Sequence, residues 1–450
     1  MGALRLVDTL SGHQDRAWNV AWNPARPTLA SCSTDKSVRL YSYAPAPAPA
    51  PDTADTASSS SSPSYRFSLE STIPTSHART VRALAFSPTG ATLATASFDS
   101  TVGVWCQVSE AGLDDGDATA SASAGEWEPV DPLEGHESEC KSVAWSADGR
   151  LLASCSRDKS VWVWEAVGPA DFECLAVLME HSQDVKCVKW HPTDELLASA
   201  SYDDTIKLYA ADPYDDEWQC THTLSSHCAT VWALAFSPCG RYLASAGDDL
   251  CIRLHERVPQ SSFAPGELGE LGEARREEGG RMGPWSAGGV RVGASEKWRW
   301  EDRGVIERAH DRTVYALDWQ RGGTAEGEGG LGRIVSGGGD GKINVFQMMA
   351  PPPSDGSSPN PSHHLVASVE DAHGVSDVNH VAWCTLSPAR AAATLRALEG
   401  GEDDAEQEQE QDASGGGEGD DEADPRWEGA RDLFASAGDD GLVKVWTVVA

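Results

Sequence analysis

The sequence predicts an all-β protein, a seven-bladed β-propeller closed by its own N-terminal strand. Three observations carry the prediction. A His followed by an Asp recurs seven times, a residue six positions after each Asp closes a short apolar strand, and apolar residues alternate between Gly- or Asp-bearing turns. Alternation of that period is the mark of half-buried strands.

In chain order the pairs are His13/Asp35, His77/Asp99, His136/Asp158, His181/Asp203, His227/Asp249, His310/Asp340 and His373/Asp440. The first five are each separated by 22 residues, and their strands close at Tyr41, Trp105, Trp164, Tyr209 and His255; the last two close at Phe346 and Trp446. This is the WD40 type of repeat. Each unit supplies four short antiparallel strands that cannot bury their apolar faces alone, so the units pack radially as blades. Within a unit the His can bond a strand Ser or Thr and the turn Asp, tying the loop before the first strand to the turn after the second. The fourteen residues are therefore expected to hold the blades through buried hydrogen bonds, not to catalyse.

The fifth unit is the template for the strands. Residues 231–236 form strand a, 242–246 strand b and 251–255 strand c, with Ser237-Pro238-Cys239-Gly240 as the first turn. Strand d follows, as at 172–178 before His181. The seventh unit ends after strand c at Trp446, and the spare segment 4–10 before His13 is expected to supply its strand d. Pairing the two ends removes exposed sheet edges. The blades begin near the seven histidines and make 1–450 a single domain. Disordered insertions are expected at 44–64, 107–125, 257–298 and 348–363, between strands c and d, and at 321–331 and 389–427, between strands a and b. All six leave from one face, which keeps the opposite face clear. In the 257–298 region, Trp285, Trp298 and Trp300 are expected to pack partly beneath blades five and six, with a partner patch as the alternative.

Bulk composition bounds the function. Seven blades of about 40 residues use about 300 of the 450, the rest being insertion. The 11 cysteines are an odd number with no Cys-x-x-Cys pair, which argues against a disulfide framework or a zinc site and for a reducing compartment. No signal peptide or membrane helix is expected. A net charge of −35 disfavours nucleic-acid and anionic-membrane surfaces. Part of that charge is local, because 399–424 holds thirteen acidic residues and no basic one.

Two positions per blade point to the clear face. The residue before the turn Asp is Thr34, Phe98, Arg157, Tyr202, Asp248, Gly339 and Asp439 in blades one to seven. The strand-a residue five after the His is Trp18, Arg82, Lys141, Lys186, Trp232 and Tyr315, and in the longer seventh unit Asn379 one residue later. Blades two to four thus offer Arg82, Lys141, Arg157 and Lys186, flanked by Phe98 and Tyr202, with no acid expected between them. Arg presents a planar fork to a carboxylate, and aromatic faces hold apolar side chains. A pocket for an acidic or C-terminal peptide is the functional expectation; solvation, or pairing with Asp99, Asp203 or Glu180, is the alternative. Catalytic motifs are missing: no phosphate loop, nucleophile elbow or zinc-binding His-Glu-x-x-His. Neither a metal nor a cofactor is expected. His191, His222, His363, His364 and His380 stand outside the repeat and read as surface or strand positions.

Blades three and four narrow the reading. Leu133-Glu134-Gly135-His136-Glu137, the run from Ser154 to Glu165 (SCSRDKSVWVWE), His181-Ser182-Gln183-Asp184-Val185-Lys186 and the run from Ala198 to Thr205 (ASASYDDT) resemble the WD-repeat subunit of the cytosolic iron-sulfur protein assembly (CIA) targeting complex. The likeness covers all seven blades and none of the insertions. It implies a non-catalytic adaptor that, with a HEAT-repeat scaffold and a small acidic subunit, recognises apo-proteins and delivers [4Fe-4S] clusters to cytosolic and nuclear clients without holding the cluster. It also implies a cytoplasmic setting that extends to the nucleus, a monomer outside its complex, a functional blade-three Arg at Arg157, and docking of tails that end in an aromatic residue. Leu208-Tyr209-Ala210 departs from the Leu-Tyr-Arg of some relatives, read as a co-chaperone docking tripeptide. The alternative is a WD40 adaptor of another complex, a ubiquitin-ligase substrate receptor or a chromatin reader.

Overall fold

Seven four-stranded antiparallel sheets stand radially around a central channel, and the chain closes the last one with its first strand. The computed structural model describes residues 2–46, 64–107, 126–168, 170–212, 215–259, 298–320, 330–351, 360–386 and 425–449. Blade five matches the template, with strands Val231–Phe236, Tyr242–Gly247, Ile252–Pro259 and Trp298–Ile306. In blade seven, Ala3–Leu10 pairs antiparallel with Val443–Val449, from Ala3 opposite Val449 to Leu10 opposite Val443.

The core lies between blades. One cluster joins Ala30, Cys32, Val38 and Leu40 of blade one to Val81, Leu84, Phe86 and Leu93 of blade two. Another joins the ends of the chain, setting Leu10, Ala17 and Val20 against Leu433, Ala435 and Val443. No helix among the described residues is long and apolar enough to cross a membrane.

All seven His–Asp pairs form. Each His donates from Nδ1 to its Asp at 2.8–3.1 Å, and its Nε2 accepts from a strand-b hydroxyl at 2.6–2.9 Å. In three blades the closing Trp donates to that same hydroxyl: Trp105 to Thr95, Trp164 to Ser154 and Trp446 to Ser436. Burial alone would push the Asp carboxyls up. Hydrogen bonds from the His ring, and in most blades from a turn hydroxyl and backbone N–H groups, more than reverse it, so all seven fall below the usual carboxylate range, Asp340 to about 2. A depressed folded-state pKa gives stability that is complete above about pH 4 and lost as pH falls through the folded value. We expect Asp158→Asn to cost about 1–3 kcal/mol at pH 7 in urea unfolding. The gap from wild type should shrink towards pH 2; a gap independent of pH would contradict the network.

The expected insertions lie mostly outside the described residues, as does Trp285, but their limits shift. Four c–d hairpins run on to paired ends at Pro45/Tyr65, Gln107/Trp127, Pro259/Trp298 and Met349/Ser362. Gly330 and Leu331 likewise belong to a strand b. Trp300 is buried against Phe236 of blade five, and Trp298 stacks under Arg257 at 4.8 Å, so both pack onto their own propeller. Trp427, placed by its acidic neighbourhood in an insertion, is fully buried in a 3-10 helix, Pro425–Asp432, between Tyr43 at 5.8 Å and Tyr65 at 6.0 Å. Its indole fills the seam between blades seven and one.

Candidate functional site

The face that carries the two positions per blade is built by one backbone irregularity repeated in every blade. Strand a carries a β-bulge at Trp18, Arg82, Lys141, Lys186, Trp232, Tyr315 and Asn379, each skipped in the pairing with strand b. A bulge re-aims the side chain it carries. These seven residues consequently form an inner ring at the channel mouth. Around it stand Thr34, Phe98, Arg157, Tyr202, Asp248, Gly339 and Asp439, each donating its backbone N–H to the carbonyl just before strand a. Trp18 donates to Thr34 at 2.7 Å and Trp232 to Asp248 at 3.0 Å, locking ring to ring. In blade six a Cβ on Gly339 would meet Tyr315 at 3.1 Å, so the Tyr ring occupies that space.

Arg82, Lys141, Lys186 and Phe98 come together, lining one cavity of about 280 Å³ with Trp18, Trp232 and Tyr315. The cations lie on aromatic faces: Arg82 over Trp18 at 4.8 Å, Lys141 over Phe98 at 4.1 Å, and Lys186 over Trp232 at 4.8 Å and Tyr202 at 5.2 Å. Arg157 and Tyr202 do not line this cavity. They stand on the outer ring with 59 % of the Arg157 side chain and 54 % of Tyr202 exposed.

Acids do interrupt the sector, contrary to the sequence expectation. Lys141 pairs with Glu139 at 2.6 Å and Lys186 with Asp184 at 3.3 Å, while Arg157 bridges loosely to both at 3.9 Å. Asp99 and Asp203 are instead taken up by His77 and His181. Glu139 and Asp184 sit two residues before the ring lysines, on the same face of the chain because strand side chains alternate. That third position went unread, and strand alternation was the signal that could have found it.

Arg82 is different: it makes no ion pair among the described residues. Burial in the channel pushes its guanidinium pKa down, and does the same to the Lys141 ammonium. A desolvated cation without a carboxylate gains more from an incoming one than a solvated cation does. The opposite arc is acidic, with Asp439 held by Arg16 at 3.3 Å and by Asn379 at 2.8 Å. Burial and the neighbouring Asp439 raise the pKa of Asp377. The mouth is thus bipolar, and it would orient an acidic ligand with its charge towards blades two to four.

Comparison with known proteins adds the family. The WD40 repeat (WD domain, G-beta repeat) matches at residues 4–42, 68–106, 127–165, 172–210 and 218–256. The chain is 46% identical over 464 residues to a protein of Mycosarcoma maydis named "probable cytosolic iron-sulfur protein assembly protein 1", covering 100% of this chain and 94% of that one. Proteins of the same name from Cryptococcus neoformans (38%, 99% of each chain) and Malassezia globosa (44%, 85% of this chain and 93% of that one) are also similar. The chain belongs to this family. The matched WD40 segments stop at blade five, and the remaining two blades of this cytosolic iron-sulfur assembly family member follow from the sheets themselves. Both carry long a–b connections, from Trp319 to Gly330 and from Trp383 to Leu433, that break the repeat spacing. Among the described residues no cluster of three or more His, Cys, Asp or Glu is placed to hold a metal.

Proposed function

We propose that this propeller is a non-catalytic adaptor of the cytosolic iron-sulfur protein assembly machinery, and that its mouth captures the acidic or C-terminal tail of another polypeptide. Its partners in this reading are a HEAT-repeat scaffold, a small acidic subunit and apo-proteins awaiting [4Fe-4S] clusters, in the cytosol and for nuclear clients. The cluster is cargo that passes between partners. The observation that carries the reading is Arg82, set among aromatic faces and without a carboxylate partner among the described residues, where burial pushes its pKa down. Arg157, exposed at the rim with only 3.9 Å contacts to acids, can swing to a partner at little cost.

Affinity purification of the full-length wild type and Arg157→Glu tests the proposal. Wild type should retain the scaffold and iron-sulfur enzymes, and the variant, equally folded by thermal melt, should lose at least ten-fold of that recovery. Unchanged recovery would remove the mouth from the account. Histones or cullin components in place of the scaffold would replace the whole reading.

A further inference from the structure

Below the mouth the residue after each ring position is small in most blades: Ala83, Ser142, Ala233 and Ala316 line the channel there. A cavity of about 550 Å³ runs through this level to the far face. Three polar residues break the small wall. Asn19 and His380 directly follow the ring positions of the neighbouring blades one and seven, and Lys189 lines the same cavity two residues further along strand a of blade four. Among the described residues Lys189 makes no ion pair, like Arg82 above it. Asn19 is 8% exposed, and its Oδ1 is buried with no hydrogen-bond partner. His380 Nδ1 accepts the Val20 N–H at 3.4 Å, which leaves the proton of the neutral ring on Nε2. Burial, then Lys189 and Arg82, hold the ring well below its usual pKa, so it stays neutral. Among the described residues that line the cavity, the acid is Asp318, level with Lys189, and it accepts from the Trp383 N–H at 2.7 Å and the Trp319 N–H at 3.0 Å.

We infer that the channel holds a second site, for a small oxyanion that keeps one hydroxyl near neutral pH, of the hydrogenphosphate type. Lys189 and Arg82, which make no ion pair among the described residues, and the His380 Nε2–H supply donors to its charged oxygens. The orphaned Asn19 Oδ1 accepts its hydroxyl proton, and thereby separates this ligand from sulfate, which has none. Arg82 lines both the mouth and this cavity, so the tail and the oxyanion share that cation, whereas Lys189, His380 and Asn19 belong to the deeper site alone and report on it separately.

Isothermal titration of the full chain with inorganic phosphate, at ionic strength matched by chloride, tests the inference. We expect saturable binding, a rise in melting temperature of about 3 °C at saturation, and weaker binding of sulfate. Lys189→Met should bind phosphate at least ten-fold more weakly, whereas Arg150→Met, which removes the same charge from the outer surface, should bind as wild type does. Lys189→Met should itself melt no lower than wild type without phosphate, because it removes a half-buried cation with no ion pair among the described residues; should it melt lower, Lys189→Gln carries the same comparison. Equal phosphate affinity in wild type and the Lys189 variants, or a stabilisation that chloride reproduces, would overturn the site and leave only ordered water in the channel.

Discussion

Deletion of residues 2–10 is expected to abolish the cooperative fold. The strand Ala3–Leu10 is the outer strand of blade seven, held along seven residue pairs to Val443–Val449. Its last residue, Leu10, is buried with Ala17 and Val20 of blade one and Leu433 of blade seven, so the segment joins the two ends of the ring. Backbone hydrogen bonds contribute about 1 kcal/mol each, and burial of a leucine about 2 kcal/mol. Together these come to about 5–10 kcal/mol, comparable to the whole margin by which a typical domain is folded. The deletion also uncovers the apolar edge of Val443–Val449, which then offers unpaired backbone groups to other chains. The truncated protein should elute as aggregate and show no sigmoidal melt. A monomer melting cooperatively within a few degrees of wild type would show that closure is dispensable.

The repeat made most of this fold legible. His136 and Asp158, once placed at a fixed spacing, locate strands a to c, and the same spacing locates Arg82, Lys141 and Lys186 on one face. The N-terminal strand was legible by subtraction, since blade seven lacked a partner and one apolar segment remained. The unread features depend on tertiary context. Glu139 and Asp184 are the exception, since they stand two residues before the ring lysines and strand alternation marks them in the sequence itself. Trp427 follows a long acidic run whose composition says nothing of the seam it fills. His380 and Lys189 look like ordinary strand residues until seven strands are wrapped around one channel. The insertion limits were misplaced for a related reason: Pro45, Gly-rich 330–332 and Trp298 look like loop by composition, yet each extends a hairpin whose other strand is well defined.

Arg82→Glu is expected to have the second largest effect, on binding instead of stability. Lys141 and Lys186 already have Glu139 and Asp184, so an incoming carboxylate must compete for them, whereas Arg82 lies on the Trp18 face with no ion pair among the described residues. Reversing that charge places a carboxylate among aromatic walls, at the one point in the mouth where an acidic tail would find an uncommitted cation among the described residues. Truncating or reversing a desolvated interface charge costs about 3 kcal/mol or more, a factor above 100 in affinity. Arg157→Glu should cost less, because that side chain is solvated before binding and its contacts are screened by salt.

The most direct measurement is therefore the dissociation constant of an acidic partner tail, titrated into full-length wild type and Arg82→Glu at low and at physiological salt. Capture at the mouth predicts a loss of more than 100-fold in the variant at an unchanged melting temperature, with wild-type binding weakening as salt rises. Equal dissociation constants for the two folded proteins would contradict it.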